Sequence, residues 1–295
     1  MELIIYKTNL SNSEREAVET YLSRKWQYGV DGLATNNLLL HLDPMKRETI
    51  KTDANARGCD TTTHTTATNG DDISCVLDRS PSENHAGQGT IASRPLLNTS
   101  GIESKPAFEF DGTNDYFTGN LPEVVTGDSH FSATMMAFDT SVDATAYWYT
   151  YGDKNSSNSY VGLKAQNSTQ IEAYWDGTGD NKSTKFNSLS LNNEPQIVTH
   201  RNNGWIGTGS NYLVLNGLLE GFDDNGGTGS GASNRPTFNH PYYIGSNEGS
   251  SNYVDEMMGE YFHHERDMSD SETVANHNYI RQKWGIVADN SKAPG

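Results

Sequence analysis

The sequence is poor in cysteine, in basic residues and in long apolar segments. Its 295 residues include two cysteines, and 21 lysine and arginine residues stand against 38 aspartate and glutamate residues, for a net charge of −17. Two cysteines are too few for a structural zinc site of their own. A surface this acidic repels phosphate backbones, so nucleic acid is a poor partner. The same charge favours solubility or cation binding.

No segment approaches the roughly 18 apolar residues that a transmembrane helix requires, which predicts no membrane insertion. The first residues lack a basic leader followed by an apolar run, so no Sec-type signal peptide is predicted. Cys59 and Cys75 lie close together in a polar, Thr-rich stretch. A disulfide between them and two free thiols are both compatible with the sequence.

Glycine and tyrosine are abundant, with 28 and 15 residues. This composition suits short strands that are joined by many turns. At least ten strand-like runs are separated by turn signals, among them residues 38–42, 131–138, 146–151 and 196–201. The predicted fold is therefore all-β, a two-sheet antiparallel jelly-roll sandwich with short terminal α-helices.

A strand-plus-helix pattern occurs twice, at residues 2–26 and 260–284. Under a constant offset the two copies share the Ser, Glu, Ala, Tyr, Lys and Trp of their helices, and the first copy carries a capping box at Ser11 and Glu14. The predicted organisation is an N-terminal appendage (1–30) that duplicates the closing unit, a sandwich domain (31–287) and a tail (288–295). We expect the appendage to dock on the flank of its own domain or on a neighbouring subunit.

Eight short motifs follow one another in a characteristic order. They are L-L-L-H-L-D (38–43), V-x-D-x-S (76–80), R-P-L-L (94–97), F-D-G-x-x-D-Y-F (110–117), N-G-x-x-x-G (216–221), Y-I-G-S-N (243–247), G-E-Y (259–261) and S-D-S-E followed by K-W-G (269–285). Together they resemble the concanavalin A-like (laminin G-like, pentraxin-like) jelly-roll domain of bacterial and marine phage proteins over residues 36–286. The resemblance implies two antiparallel sheets of about six or seven strands each, closed by the last strand and its helix.

The resemblance also implies one structural Ca²⁺, held between an early-strand acid, a loop and the final strand. The corresponding candidates are Asp43, Asp111 and Asp255. The alternative is that these aspartates cap turns through their own backbone.

Sugar binding requires an aromatic platform with amide or carboxylate partners. The candidates are Tyr149, Tyr151, Trp175, Asp176, Asn203, Trp205 and Asn247. Strand alternation places Tyr147, Tyr149 and Tyr151 on one face and Trp148 on the other. Because one face must be core, about half of these aromatic residues are expected to be packing residues.

An enzymatic reading depends on Glu256 and Glu260, since no G-x-S-x-G elbow is present. The two glutamates share strand parity, but four residues of strand separate them by about 13 Å, against about 5–5.5 Å in a retaining glycosidase. No catalytic residue is therefore assigned. His263 and His264 are adjacent on a strand and are predicted to point to opposite faces.

These observations favour a non-enzymatic, lectin-like carbohydrate-binding or adhesion module. A virion decoration or host-attachment protein of a phage capsid or tail fits the resemblance and the absence of a signal peptide, with an extracellular or virion-surface location. The expected partners are a glycan or host-surface polysaccharide, and neighbouring structural-protein subunits through residues 1–30. The alternative is a polysaccharide-active enzyme, either a glycoside hydrolase or a lyase.

Overall fold

The computed structural model of the chain describes a β-rich domain. The residues described are Val18, 33–55, 58–59, 64–121, 131–139, 145–152, 160–167, 169–176, 182–186, 194–202, 211–216, 218–219 and 241–286. Within this part of the chain, no helix has both the length and the apolar character needed to cross a membrane.

Eighteen strands and one α-helix form from these residues, with short 3-10 turns at Arg47–Thr49 and Ile91–Ser93. The strands are β1 Leu38–Leu42, β2 Ile50–Thr52, β3 Thr65–Thr66, β4 Cys75–Val76, β5 Ala86–Gly87, β6 Leu96–Ile102, β7 Lys105–Glu109, β8 Phe117–Asn120, β9 Phe131–Asp139, β10 Ala146–Gly152, β11 Tyr160–Asn167, β12 Gln170–Asp176, β13 Lys182–Phe186, β14 Pro195–Asn202, β15 Asn211–Leu215, β16 Leu218–Leu219, β17 Pro241–Ile244 and β18 Glu256–His264. The helix, α1, is Asp270–Trp284.

The strands form two antiparallel sheets. An eight-stranded sheet has the order β16-β15-β14-β9-β18-β7-β6, with β1 paired to β18, and a ten-stranded sheet has the order β13-β12-β11-β10-β17-β8-β5-β4-β2-β3. The predicted two-sheet sandwich is confirmed. The strand number exceeds the expected six or seven per sheet because several short strands, such as β3 and β16, extend the edges.

The main core contains apolar side chains from both sheets. Its largest fully buried members include Trp148, Tyr149 and Tyr242 from the ten-stranded sheet and Phe110, which follows β7. Tyr242 and Ile244 of β17 enter this core, whereas Tyr243 between them is partly exposed. The period of two along a strand thus separates core from surface.

Strand β18 and helix α1 form a closing unit that joins the elements of the eight-stranded sheet. β18 pairs with β9, β7 and β1. α1 begins at a capping box in which Ser269 and Glu272 satisfy each other's backbone N–H groups. The same pattern, Ser11 and Glu14, occurs at the corresponding positions of the first repeat copy. Its buried Ile280 and Trp284 share a second core with Phe262 of β18.

Some predictions differ from the structure or lie outside its description. The sequence predicts a loop over residues 81–104, but β5 and all of β6 lie there. In the polar stretch 46–72, β2 and β3 pair as a hairpin. Cys59 and Cys75 form a disulfide, which decides between the two readings of these cysteines. Of the first repeat copy, the structure describes only Val18.

Candidate functional site

Three partly exposed tyrosines lie together on the outer side of the ten-stranded sheet. The ring centroid of Tyr116 is 6.0 Å from that of Tyr243 and 6.4 Å from that of Tyr253. We call Tyr116, Tyr243 and Tyr253 the tyrosine surface. Aromatic rings arranged in this way offer apolar faces together with hydroxyl groups, a combination that suits ligands with both apolar and polar sides.

The loop at residues 245–255 supports this surface. The Tyr253 hydroxyl donates to the Gly249 carbonyl at 2.9 Å. Gly249 has φ +65°, and a Cβ at this position would lie 2.8 Å from Cζ of Tyr116. A glycine is therefore required both for the backbone conformation and for the space that the Tyr116 ring occupies.

A turn at residues 111–115, which begins and ends with an aspartate, borders the same loop. Asp111 Oδ1 accepts from the backbone N–H groups of Thr113 at 2.8 Å and Asn114 at 3.1 Å. The Gly112 N–H donates to the Val254 carbonyl at 2.9 Å, and a Cβ on Gly112 would lie 2.8 Å from Cβ of Asp255. Burial, reinforced by the charges of Asp111 and Asp72, raises the pKa of Asp115 to about 7. Tyr116 follows this turn directly along the chain.

Of the predicted sugar-binding residues, Asn247 belongs to this region. Its Oδ1 accepts from the Tyr160 hydroxyl, and its N–H donates to the Ser251 carbonyl at 2.9 Å. Asn247 therefore shapes the 245–255 loop. Trp175 and Asp176 end β12, where the structure describes their backbone pairing opposite Val161 and Tyr160. Asn203 and Trp205 lie outside the described residues.

Tyr149 and Tyr151 do not form an exposed platform, which corrects that part of the prediction. Their side chains are 1% and 3% exposed, and the Tyr149 hydroxyl is 2.5 Å from Nδ1 of His200. Trp148 was expected on the opposite face from Tyr149, yet both belong to the main core. The register between β10 and β11 shifts between Tyr147 and Tyr149, and this irregularity interrupts the alternation.

The predicted calcium ligands are not brought together as one set. Asp111 and Asp255 lie on adjoining segments, but Asp43 belongs to a buried cluster with His41 and Glu260. In the described part of the chain, that cluster is the one group of three such residues whose ligand atoms lie within 4.8 Å of one another. The local contacts of Asp111 match the turn-capping alternative.

The buried cluster already contains a cation, the ammonium of Lys283. Lys283 Nζ lies 2.7 Å from Asp43 Oδ2 and 2.5 Å from Glu260 Oε1, while Arg79 Nη1 lies 2.6 Å from the same Asp43 oxygen. Burial alone would raise the pKa of Glu260, but the hydrogen bond with His41 and the charge of Lys283 outweigh it and hold that pKa below its ordinary value. The cluster therefore does not fit a metal ion as well as it fits the lysine.

Glu256 and Glu260 do not face a common cleft. Glu256 accepts from Trp148 Nε1 at 2.7 Å, in the space between the sheets, whereas Glu260 accepts from Trp284 Nε1 at 3.1 Å on the side of α1. The prediction that the two glutamates point to the same face of the strand is wrong, because the register of β18 shifts between Met258 and Tyr261. His263 and His264 do point to opposite sides: His263 stacks on Phe131, and His264 Nε2 lies 2.8 Å from the Ala34 carbonyl oxygen.

The tyrosine surface was missed by sequence reasoning. Tyr243 could have been found from the Tyr242–Tyr243 pair, because alternation must send one of two adjacent side chains outward. Tyr116 comes from a distant segment, Tyr253 lies ten residues after Tyr243, and no sequence pattern links either of them to Tyr243.

Comparison with known proteins identifies the fold of this chain but not its family. No protein-family model and no curated protein matches the sequence. Among solved structures, the receptor binding domain of botulinum neurotoxin D aligns with 17% identity and a TM-score of 0.56, over 86% of this chain and 54% of that chain. The serotype D ligand binding domain, solved in complex with N-acetylneuraminic acid, aligns with 16% identity and a TM-score of 0.55, over 83% and 51%.

A third similar structure is the receptor binding domain of the mosaic serotype C/D, with 15% identity, a TM-score of 0.55 and coverage of 86% and 52%. The chain thus spans about half the length of the structures it matches. At this level of identity the likeness shows a shared β-sandwich fold, and the function of the neighbours does not transfer with it.

Proposed function

We propose that residues 33–286 form a non-enzymatic carbohydrate-binding module that holds a glycan against the tyrosine surface. The observation that carries the proposal is the group of three partly exposed rings, 6.0 and 6.4 Å apart, with polar loop groups beside them. The similar sandwich solved with N-acetylneuraminic acid supports a glycan as ligand. Sugar rings present C–H faces that stack on aromatic rings and hydroxyl groups that hydrogen bond at the edges.

The charge at this edge favours a neutral glycan. Asp111 and Asp255 are exposed and stand five residues before Tyr116 and two residues after Tyr253 in the sequence, and the chain carries a net charge of −17. An anionic sugar brought to these carboxylates would meet like charges at close range. We therefore expect neutral oligosaccharides to bind and sialylated ones to bind more weakly, in contrast to the ligand of the similar serotype D domain.

The proposal is tested by a glycan array followed by titration calorimetry with the best neutral binder. Tyr243→Ala should weaken binding about tenfold, whereas Tyr243→Phe should retain most of the affinity because the ring is kept. Tyr212→Ala is a matched control, since Tyr212 is a partly exposed tyrosine on the other sheet, stacked with Arg201. Equal affinity of Tyr243→Ala and the parent would exclude this surface, and turnover of any bound glycan would favour the enzymatic alternative.

The proposal also includes the place where the module is displayed and its location. Display on a virion, as a capsid or tail decoration or a host-attachment protein, is supported by the ordered motifs that resemble domains of phage proteins. Capsid and tail genes beside the coding gene would support this placement, and polysaccharide-degradation genes would oppose it. An extracellular or virion-surface location follows from the same placement.

We also propose a calcium site formed by Asp111 and Asp255, without the third predicted ligand, Asp43. These two carboxylates lie on segments that the Gly112–Val254 hydrogen bond holds together. A rise in Tm on addition of Ca²⁺ that is lost in Asp255→Asn would support a site here. An unchanged Tm in the parent would remove calcium from the proposal.

A further inference from the structure

The ammonium group of Lys283 lies between two buried carboxylates and makes three polar contacts. Its Nζ is 2.7 Å from Asp43 Oδ2, 2.5 Å from Glu260 Oε1 and 3.0 Å from the Tyr279 hydroxyl oxygen. The side chains of Asp43 and Glu260 are completely buried, and that of Lys283 is 15% exposed. The cluster therefore holds an amine against a carboxyl group where solvent has little access.

The two oxygens of Asp43 have different surroundings. Oδ1 accepts from the backbone N–H of Met45 at 3.0 Å. Oδ2 accepts from Lys283 and also from Arg79 Nη1 at 2.6 Å. A backbone N–H aimed at a carboxyl oxygen stabilises the negative charge that develops there when the adjacent carbon is attacked. Oδ1 is thus arranged to remain on the carbon, and Oδ2, held by two cationic groups, is arranged to leave.

Glu260 is fixed beside the amine by other donors. Its Oε2 accepts from Trp284 Nε1 at 3.1 Å, and its Oε1 lies 3.0 Å from Nε2 of His41. Burial raises the pKa of Glu260, but the hydrogen bond with His41 and the charge of Lys283 hold it below its ordinary value. A carboxylate oxygen of Glu260 lies within 4.8 Å of one of Asp43. Glu260 is therefore an ionised group that can carry a proton from Nζ to Asp43.

We propose that Lys283 and Asp43 condense to an intramolecular isopeptide bond, with Glu260 as the proton carrier. The proton between Nζ and Oδ2 moves to Oδ2, which leaves the electron pair of the amine directed at the carboxyl group. Nζ then attacks Cγ of Asp43 and forms the C–N bond, while the charge on Oδ1 is held by the N–H of Met45.

The second half of the reaction releases one water molecule. Glu260 takes a second proton from Nζ and passes it to Oδ2, and the C–Oδ2 bond breaks with its electron pair on the oxygen. Of the three hydrogens of the ammonium group, one stays on the amide nitrogen and two leave with Oδ2. Nothing is oxidised or reduced, so no further reactant is needed.

The ion pair seen in the structure is the state that precedes this reaction. Groups held in contact by a fold react as though their concentration were as high as about 10⁵–10⁸ M. Condensation also replaces two buried charges, which are costly to remove from water, with a neutral amide. The N–H of that amide remains beside Glu260 and can still donate to it.

The residue after Asp43 blocks a competing reaction of the same carboxyl group. The backbone nitrogen that follows an aspartate can attack its side chain and form a succinimide, which also releases water. Here that residue is Pro44, whose nitrogen carries no hydrogen. Lys283 is thus the amine in contact with Asp43 that can form an amide with it.

The bond would join two distant parts of the chain. Asp43 and Lys283 are 240 positions apart, at the end of β1 and in the last turn of α1. A covalent link between them would enclose almost the whole sandwich in one loop. The inference does not depend on glycan binding.

Mass spectrometry of the intact full chain, denatured and with its disulfide reduced, tests the proposal. We expect a mass lower than the sequence mass by one water molecule, and a protease digest that contains one branched peptide with both Asp43 and Lys283. Lys283→Arg should have its full sequence mass, because a guanidinium stays protonated and is not a nucleophile. Lys164→Arg is the matched control: Lys164 is also 15% exposed and pairs with Glu172, and this variant should still lose one water.

A parent chain with its full sequence mass would overturn the proposal, whether or not any variant folds. So would a water loss that the digest assigns to a succinimide at an Asp-Gly step, such as Asp111 with Gly112, in place of the branched peptide. Glu260→Gln tests the proton carrier and should keep its full sequence mass. A complete water loss in this variant would remove Glu260 from the reaction.

Discussion

Lys283 of the C-terminal helix donates to Glu260 of the central strand β18 across 2.5 Å. The same ammonium lies 2.7 Å from Asp43, which directly follows β1. One side chain therefore connects the helix, the strand beneath it and the strand paired to that one. Both carboxylates have fully buried side chains, so their negative charges depend on this lysine and on Arg79 and His41.

Replacing this lysine should destabilise the domain more than replacing a comparable one elsewhere. Lys283→Met removes a cation from between two buried carboxylates, and we expect a loss of about 3–5 kcal/mol in the free energy of unfolding, measured by urea titration. Lys164→Met is the matched control, because Lys164 is also 15% exposed and pairs with Glu172, which keeps Lys185 at 3.6 Å. The control should lose about 1 kcal/mol or less in the free energy of unfolding. Equal losses in the two variants would show that the buried cluster contributes no more to stability than the Lys164–Glu172 pair.

Stability should fall as the pH drops below neutrality because several histidines are buried in their neutral form. Burial, with the charges of His264 and His200, lowers the pKa of His263 to about 3, and burial, with Arg281, lowers that of His277 to about 3. Burial also lowers the pKa of His264 to about 4. The unfolded chain therefore binds protons below about pH 6.5 that the folded chain does not, which removes about 1.4 kcal/mol per pH unit for each histidine.

Urea titrations between pH 7 and pH 4.5 measure this slope. The histidines' contribution is fully present above pH 6.5 and is lost progressively toward pH 3–4. His277→Gln should reduce the slope by about one proton, since Gln does not titrate and can still reach Thr199. A stability that does not change from pH 7 to pH 4.5 would contradict the buried, neutral state of these three residues.

Gly249→Ala tests the support of the tyrosine surface. The added Cβ meets the Tyr116 ring at 2.8 Å and also forces a side-chain-bearing residue into φ +65°, so both glycan affinity and Tm should fall. Gly70→Ala separates the two effects, because Gly70 has φ +80° and nothing within 4 Å of the added atom. It should lose about 1 kcal/mol from backbone strain with no change in affinity. A similar loss of affinity in both variants would show that Gly249 has no specific role in supporting the binding surface.

The Cys59–Cys75 disulfide should stabilise the domain measurably. It closes a loop of 16 residues and fastens that loop to β4, where Cys75 is fully buried. By the chain-entropy argument, the double variant Cys59→Ala/Cys75→Ala should lose about 3 kcal/mol in free energy of unfolding. Adding reductant to the parent should lower Tm in the same direction, and the double variant should not respond to reductant at all.

Much of the fold was predictable because it depends on local pattern. Residues 38–42, 131–138 and 146–151 alternate or run apolar between turn signals, and each is a strand close to its predicted bounds. The match of residues 268–284 to the first copy, with its capping box at Ser11 and Glu14, likewise predicted a helix. The short strands β5 and β13 were not predicted, because an Ala-Gly pair and the mostly polar run K-S-T-K-F carry no period that distinguishes a strand from a loop.

The candidate site was less predictable, because strand irregularities and distant contacts decide it. A one-residue register shift near Tyr149 moved two predicted platform residues into the core, and another near Gly259 sent Glu256 and Glu260 to opposite sides. Such shifts reverse the face of every residue beyond them. The sequence shows the residues on both sides of a shift but not the shift itself.

The amino-acid sequence by itself determined the all-β class, the closing strand and helix, and the repetition of that unit at residues 2–26. Those features follow from spacing along the chain, which the sequence displays directly. Only the tertiary structure decided that Tyr116, Tyr243 and Tyr253 share one surface and that Lys283 occupies the space between Asp43 and Glu260. Both arrangements join residues more than a hundred positions apart, and their proximity depends on how two sheets pair and pack, which no local pattern records.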